Sequence, residues 1–235
     1  MYNLLSNKIT ILLLLIVFAM THSSYGQVNA RDNYNYLDFQ KKSFYFGMTF
    51  GTNFPSFRLN QSKIFIGNDS IQVAEGRSNG GFNLNMVTNF KMGEFFDLRF
   101  TPGFAFSYRS FLFNDVSERR TEAVFFELPF YVRYKSLPYK DKRIFAVGGL
   151  KYNFDVANNS NARKAETLIK ISPHDFQWEV GVGMQFFYPY FIFSPEIKYG
   201  RGLGNILLYN GALNESKVLE NVVSQVFTIS LNFEG

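Results

Sequence analysis

The sequence predicts an all-β protein, an eight-stranded antiparallel transmembrane β-barrel of the outer-membrane type with short periplasmic turns and longer outer loops. Three observations lead to that fold class. The segment from Val223 to Phe233 alternates between two faces and ends on an aromatic residue almost at the chain terminus. Aromatic residues make up 19% of the chain, including 29 Phe and 14 Tyr, yet the mean hydropathy is near neutral. Short and long connections alternate strictly between the segments that carry this pattern.

High aromatic content and neutral mean hydropathy are compatible in a barrel that sits in lipid. Only alternate residues of each strand face the hydrocarbon, so the outward face can be very apolar while the average stays low. Aromatic side chains also form girdles at the two membrane interfaces. A soluble lipocalin-like barrel, with apolar rows inside and polar rows outside, is the alternative. Large aromatic side chains in every apolar row would overfill such a narrow lumen, so the membrane barrel is favoured.

The chain begins with the features of an export signal, predicted for residues 1–26. Lys8 precedes an apolar run from Ile9 to Met20, which is too short to cross a bilayer as a helix. Small residues stand three and one positions before a cleavage site ahead of Gln27. An uncleaved anchor is the alternative, and the shortness of the apolar run argues against it.

The rest of the chain is predicted as a polar periplasmic lead-in, residues 27–42, followed by the barrel, residues 43–235. Its strands are the alternating segments 44–51, 82–90, 96–108, 124–135, 144–155, 176–186, 191–200 and 223–233. The short connections are 91–94, 136–142 and 187–190, and the long ones are 52–79, 109–121, 157–175 and 201–220. An even number of strands places both chain ends in the periplasm with the short turns.

The inward rows carry charged side chains of nearly balanced sign, predicted to form a structural charge network in the barrel interior. These are Asp97, Arg99, Glu127, Arg133, Lys135, Lys151, Asp155, Glu179, Glu196 and Lys198. Charges in a confined, poorly solvated lumen require partners. Pairing the strands about their shortest connections predicts three pairs: Asp97 with Lys135, Glu127 with Lys151, and Glu179 with Lys198. An ion path is the functional alternative, but eight strands leave a lumen just wide enough for side chains, so structural filling is preferred.

No catalytic, cofactor-binding or metal site is predicted, and a barrel enzyme is the weakest of the alternatives. The chain has no Cys and only two His, one of which lies in the export signal. His174 has Ser172 and Asp175 beside it, but closeness in sequence does not produce the geometry of a hydrolytic triad. A polar cluster at a membrane interface is the preferred interpretation. No small-molecule substrate is expected, and the net charge of +5 is spread along the chain, so no nucleic-acid partner is expected either.

A family resemblance spans essentially the whole chain after the export signal and is weakest at residues 52–79. It is carried by Phe95–Phe106 (FFDLRFTPGFAF), Glu127–Leu128–Pro129, Tyr134–Lys135–Ser136, Gly148–Asp155 (GGLKYNFD), Trp178–Gly183 (WEVGVG) and Phe193–Lys198 (FSPEIK). In these strings the chain resembles the PorT family of Bacteroidetes.

The resemblance implies a non-enzymatic outer-membrane barrel that is needed for protein secretion by a type IX system and, in some relatives, for gliding motility. Because a filled barrel cannot be the export conduit, the chain is expected to be an accessory or assembly component. Its expected partners are outer-membrane lipid and other secretion-system subunits, contacted through the lipid-facing wall, the outer loops or residues 27–42. A small structural or surface-interaction barrel that shares only the fold is the alternative.

Overall fold

The structure is a computed structural model, and it describes residues 33–61, 74–78, 80–113, 117–156, 170–208 and 219–235. The predicted export signal, residues 1–26, lies outside the described residues, as does the first part of the predicted lead-in. The described residues form one helix and twelve strands. These are α1 (Tyr34–Gln40), β1 (Phe44–Gln61), β2 (Ala74–Ser78), β3 (Gly81–Lys91), β4 (Phe96–Phe100), β5 (Gly103–Phe113), β6 (Ser117–Lys135), β7 (Lys142–Asp155), β8 (Lys170–Ile171), β9 (His174–Phe187), β10 (Ile192–Gly202), β11 (Leu207–Leu208) and β12 (Leu219–Glu234).

Eight membrane-crossing units close into a ring. Going round it, β1 pairs with β12, followed by β10, β9, β7, β6, the combined unit β4–β5 and β3, which pairs back with β1. Neighbouring units run antiparallel throughout. Closure pairs the backbone groups of each unit with both neighbours, as hydrocarbon surroundings require. The predicted fold class is therefore confirmed, including the closure of the last strand on the first.

The strands β4 and β5 count as one unit because their pairing register does not change across the break between them. On one side of the break Thr88 lies opposite Phe100, and on the other side Asn85 lies opposite Gly103, in a continuous ladder with β3. Pro102 stands in the break, where its lack of an N–H removes one ladder donor. Its carbonyl still accepts a hydrogen bond from the backbone of β3. The wall therefore stays closed at this point.

The two faces of the wall differ as the sequence alternation predicted. On β1, Phe44 and Phe46 are 54% and 57% exposed, whereas Tyr45 and Thr49 are 1% and 3% exposed. The same contrast continues around the ring to β12, where Phe227, Ile229, Leu231 and Phe233 face outward and the alternate residues Thr228, Ser230 and Asn232 face the lumen. A continuous apolar outer surface of this extent fits lipid and not water. The structure thus excludes the lipocalin-like arrangement.

The end of the barrel that carries the short turns is the periplasmic end. These turns span residues 92–95, 136–141 and 188–191, close to the predicted positions. Two of the predicted long loops, 52–79 and 109–121, are partly β-strand in the structure. Strand β1 continues to Gln61, and β5 and β6 form a hairpin that runs out to Phe113 and back from Ser117. The sequence of these extensions lacks the strict apolar alternation of the predicted strands, and backbone pairing extends them beyond it.

The helix α1 lies at the periplasmic end, in the segment for which the sequence predicted only a polar lead-in. A helix of seven residues is too short to be stable alone in water, so it depends on the barrel. The Asp141 carboxylate accepts a hydrogen bond from the Tyr36 backbone N–H at 2.9 Å, and the Asp141 N–H donates to Asn33 Oδ1 at 3.1 Å. The turn between β6 and β7 thereby caps the helix. No helix within the described residues is long and apolar enough to cross a bilayer.

Candidate functional site

The barrel lumen is filled with charged side chains whose signs cancel. Among the described residues, six basic and six acidic side chains are buried there. The basic ones are Arg99, Arg133, Lys135, Arg143, Lys151 and Lys198, and the acidic ones are Asp97, Glu127, Asp175, Glu179, Glu196 and Glu234. Nine of the ten predicted interior charges belong to this set, and the tenth, Asp155, is half-buried at the outer end of β7.

A first cluster lies near the periplasmic end and is centred on Asp97. Arg133 donates to Asp97 Oδ2 from Nη2 at 2.7 Å and from Nε at 3.1 Å. Lys135 donates to the other carboxylate oxygen. Tyr45 and Asn89 complete the shell, each contacting the same Arg133 Nη2. Arg133 is thus fixed by several oxygen acceptors and Lys135 by the Asp97 carboxylate, and such pairing is the condition under which buried charge is tolerated.

Arg99 joins this first cluster to the opposite wall of the barrel. Its Nη1 donates to Glu196 Oε2 at 3.2 Å, and its Nη2 donates to Glu234. Glu196 also pairs with Lys198, at 2.9 Å. Arg99 comes from β4, whereas the two carboxylates come from β10 and β12 across the lumen. These ion pairs therefore connect opposite sides of the barrel wall.

A second cluster occupies the middle of the lumen around Lys151. The Lys151 ammonium lies 3.0 Å from Glu127 Oε1 and 2.6 Å from Glu179 Oε1. The Tyr131 hydroxyl donates to the other oxygen of Glu179. The Tyr131 ring lies over Gly149, where a Cβ would come within 2.8 Å of the ring. Glycine at that position therefore allows the aromatic ring to fold across the lumen.

The structure brings together two of the three predicted pairs. Asp97 contacts Lys135, and Glu127 contacts Lys151. Glu179 and Lys198, the third predicted pair, lie near enough to interact electrostatically. Their ion pairs, however, are Glu179 with Lys151 and Lys198 with Glu196. β9 pairs with β7 as well as with β10, and the β7 side offers Glu179 the shorter approach to an ammonium group.

Side chains leave almost no free space in the middle of the barrel. The cavity bounded by the second cluster and its neighbours, among them Thr49, Asn85 and Thr228, measures about 10 Å³. That volume has room for about one water molecule. A hydrated ion or a sugar cannot pass such a constriction without movement of several paired charges.

The helix α1 covers the periplasmic mouth of the same lumen. Its Tyr36 and Phe39 pack against Phe187, with ring centroids 5.2 and 6.1 Å away, and against Tyr45 and Ile192. We call these five side chains the mouth cluster. All five are buried, and burial raises the pKa of the Tyr36 hydroxyl. The barrel is therefore filled in its middle and covered at its periplasmic end.

The polar residues at the start of β9 do not form a hydrolytic site. The exposed His174 lies beside the Tyr152 hydroxyl, with Nδ1 2.6 Å from it. Asp175 points into the lumen, where Ser224 and Gln177 donate to its carboxylate at 2.5 and 2.6 Å. Among the described residues, Ser172 Oγ forms hydrogen bonds with the backbone of His174 alone. The three side chains do not converge, which matches the interpretation as a polar cluster.

A closed ring of this size, with a filled lumen and an apolar outer wall, can be compared with known proteins. The family model described as outer membrane protein beta-barrel domain matches residues 25–208. The chain belongs to this family. As a member of the outer membrane protein beta-barrel domain family, it is an outer-membrane protein.

The solved structures that resemble this family member are also outer-membrane proteins. OprG from Pseudomonas aeruginosa matches with a TM-score of 0.50 and 12% identity, over 81% of this chain and 93% of OprG. Neisserial surface protein A matches with a TM-score of 0.42 and 12% identity, over 81% of this chain and 96% of that protein. At this identity the likeness to OprG concerns the fold alone. No curated protein sequence matches the chain.

Sequence reasoning missed several residues of this family member's lumen and mouth, among them Asp175, which stood in the predicted long connection 157–175. Glu234 lies one step beyond the predicted last strand, on the same inward row as Asn232, so the alternation could have included it. Arg143 lies at the start of β7, between the predicted turn 136–142 and the predicted strand 144–155. The packing of Phe39 had no signal in the sequence, because three aromatic residues in a short polar segment, Tyr34, Tyr36 and Phe39, do not reveal which of them is buried or against what.

Proposed function

We propose that this chain is a closed, non-conducting outer-membrane barrel that acts by binding other components and not by passing solutes. The observation that carries the proposal is the cavity of about 10 Å³ in the middle of the lumen. The exposed surfaces available for binding are the apolar wall, the outer strand extensions and the periplasmic end with α1. The chain is further proposed to have no enzymatic activity, since Ser172, His174 and Asp175 do not converge.

Liposome swelling tests the proposal. Vesicles that contain the refolded protein are placed in isotonic arabinose, and the decrease in turbidity is followed beside vesicles that contain a general porin. The expected result is no swelling above that of empty vesicles. Swelling at a rate that rises with the amount of folded barrel would contradict the proposal. Heat-dependent mobility on a gel serves as the control for folding in the same samples.

A finer proposal is that the chain is an accessory or assembly subunit of a type IX-like secretion system. Its support is the resemblance to the PorT family in the six strings given above. Those strings include residues of both lumen clusters, such as Asp97, Lys151, Glu179 and Glu196. The resemblance thus covers the residues that fill the barrel as well as its lipid-facing positions. The proposed partners are other subunits of the secretion system.

A deletion strain separates the two proposals. If the secretion role is correct, the culture medium of the deletion strain lacks its normal set of secreted proteins, and the full-length gene restores them. An unchanged set of secreted proteins leaves the general binding role and eliminates the secretion role. A pull-down from detergent-solubilised outer membrane then identifies the subunits that bind the barrel.

Cleavage of the export signal is part of the proposal. The protein isolated from outer membranes is expected to begin at Gln27. N-terminal sequencing of that material checks this position, and an intact Met1 would contradict cleavage.

A further inference from the structure

A pocket of about 310 Å³ lies at the periplasmic mouth, between α1 and the ends of the strands. We call it the mouth pocket. Its charged lining residues are five basic and one acidic among those described: Lys41, Lys42, Lys91, Lys135, Arg143 and Glu94. The volume is at the lower end of the range of about 300–1,000 Å³ that is usual for small-molecule sites. The mouth pocket is therefore large enough for a small anionic ligand.

Three of these bases have no carboxylate within ion-pair distance among the described residues. Lys135 is neutralised by Asp97, and Lys41 lies 3.8 Å from Asp38 on the surface. In contrast, Lys42 and Lys91 lie over the aromatic rings of Phe39 and Tyr45, at 4.9 and 5.8 Å. Arg143 likewise lies over aromatic rings of the mouth cluster. The mouth pocket therefore carries an excess of positive charge, whereas basic and acidic side chains are paired in the rest of the lumen.

Arg143 is the base whose surroundings point most directly to a ligand. Its side chain is only 4% exposed, and it lines the mouth pocket. The rings of Tyr36 and Phe187 lie 5.5 and 5.1 Å from its guanidinium carbon. Its Nε donates to Gln185 at 2.5 Å, whereas its two Nη groups have no oxygen acceptor among the described residues. A buried guanidinium held in place by aromatic rings, with free N–H groups, is suited to bind an oxyanion.

Lys91 adds donors on the other side of the mouth pocket. Its ammonium donates one hydrogen bond to the Phe39 carbonyl of α1. An ammonium group has three N–H donors, so two remain for a ligand. The contact with α1 holds the Lys91 side chain at the pocket, so a ligand would meet a positioned charge.

We propose that the mouth pocket binds a phosphate dianion, either free phosphate or a small phosphate monoester, from the periplasm. A dianion with three terminal oxygens can accept hydrogen bonds from Lys42, Lys91 and Arg143 together. A carboxylate has one charge and would leave two of these three bases uncompensated, whereas a dianion leaves one. Arginine matches the geometry of phosphate oxygens through its planar fork of donors. The site binds its ligand without any chemical step.

Isothermal titration of the chain refolded in nonionic detergent tests this proposal, with inorganic phosphate and glycerol phosphate as the two probes. Saturable binding of either probe with a Kd below about 1 mM supports the site. Tighter binding of glycerol phosphate supports a monoester as the ligand, and tighter binding of inorganic phosphate supports the free anion. The affinity should fall as sodium chloride is raised, because the ligand is charged. Absence of saturable heat with both probes overturns the proposal.

Four variants assign the binding to the mouth pocket. Lys91→Met and Arg143→Met are each expected to weaken phosphate binding by about tenfold, the effect of one charge-assisted hydrogen bond. Glu94→Gln is expected to tighten binding by about twofold to fivefold, since it removes the acid from the pocket lining. Lys142→Met is the matched control, because Lys142 is exposed on the opposite face of the same strand as Arg143 and should leave affinity unchanged.

Two outcomes decide the assignment. Equal affinity of Lys91→Met and the original chain, in samples whose gel mobility shows a folded barrel, overturns it. If Arg143→Met does not refold, the other two variants decide the assignment. Lys91→Met should weaken phosphate binding and Glu94→Gln should tighten it, and a general loss of stability would not change the affinity in both directions.

Discussion

Arg133 and Asp97 lie directly opposite each other on β6 and β4, and the Arg133 guanidinium donates two hydrogen bonds to one Asp97 oxygen, at 2.7 and 3.1 Å. Neither side chain has any exposed surface. The same carboxylate also accepts a hydrogen bond from Lys135. A single buried acid therefore pairs with two buried bases at the periplasmic end of the lumen, and Glu234, 3.6 Å from Arg133 Nη1, adds a second negative charge.

Asp97→Asn should strongly destabilise the barrel. The substitution keeps the shape of the side chain but leaves Lys135 without a carboxylate and Arg133 with only Glu234, at 3.6 Å. Loss of one partner from a buried ion pair costs about 3–5 kcal/mol. The free energy of unfolding, measured by guanidinium titration of the barrel in lipid vesicles, should decrease by about this amount.

Asp38→Asn is the control for this prediction. Asp38 forms an ion pair with Lys41 at 3.8 Å, but its side chain is 66% exposed. Exposed pairs contribute little, so the free energy of unfolding should change by less than about 0.5 kcal/mol. Equal effects of Asp97→Asn and Asp38→Asn would contradict the role assigned to the lumen cluster.

The contacts of the second cluster predict that two substitutions in it destabilise the barrel to different degrees. Lys151→Met leaves Glu127 and Glu179 facing each other without the cation that lies 3.0 and 2.6 Å from them. Glu127→Gln removes one carboxylate but leaves Lys151 paired with Glu179. The temperature at which half of the protein loses its folded mobility on a gel should therefore decrease more for Lys151→Met than for Glu127→Gln. The reverse order would mean that Glu127 and not Lys151 is the centre of the cluster.

The mouth cluster predicts that α1 can be undocked without unfolding the barrel. Phe39→Ala removes a ring that is 4% exposed and packs against Phe187. Loss of a buried Phe costs about 3–5 kcal/mol, more than a seven-residue helix can supply by itself. Trypsin should then cleave after Lys41 or Lys42 at a higher rate, while the heat-dependent gel mobility of the barrel stays unchanged.

Tyr34→Ala is the control for the helix. Tyr34 belongs to the same helix but is 74% exposed, so its removal should leave the cleavage rate close to that of the original chain. If Phe39→Ala and Tyr34→Ala are cleaved equally fast, the contacts of α1 with the barrel do not hold it in place.

The apolar outer wall predicts the cost of a charge placed on it. Val182 lies outward near the middle of β9 and is 62% exposed. An arginine near the bilayer midplane costs about 2–4 kcal/mol and about 0–1 kcal/mol near an interface. Val182→Arg should therefore lower the free energy of unfolding in vesicles by that larger amount, whereas Tyr190→Arg, in a periplasmic turn, should have a small effect. Equal small effects would place the Val182 face outside lipid.

The wall of this barrel could be predicted from sequence because alternation reports directly on which face each residue occupies. The Asp97–Lys135 and Glu127–Lys151 contacts could be predicted too, since each joins neighbouring units along the chain. The partner of Glu179 could not be predicted in the same way. It is Lys151 on β7, which the predicted pairing assigns to Glu127, and alternation does not show that one ammonium group pairs with two carboxylates.

Contacts across the lumen were beyond sequence reasoning for a further reason. Arg99 meets Glu196 and Glu234 from strands that are not its neighbours in the ring. Such contacts depend on strand tilt and stagger, which the alternation does not specify. The docking of α1 likewise depends on tertiary contacts, because the helix is too short to be specified by its own periodicity.

Single-channel recording in planar bilayers tests the sealed lumen most directly. The chain, refolded and inserted into a planar bilayer in about 1 M potassium chloride, is predicted to give no resolved conductance steps at moderate voltage, because paired charges fill the lumen and leave a cavity of about 10 Å³. A general porin inserted under the same conditions confirms that open barrels are detected. Stable, reproducible conductance steps from the folded chain would contradict the central claim.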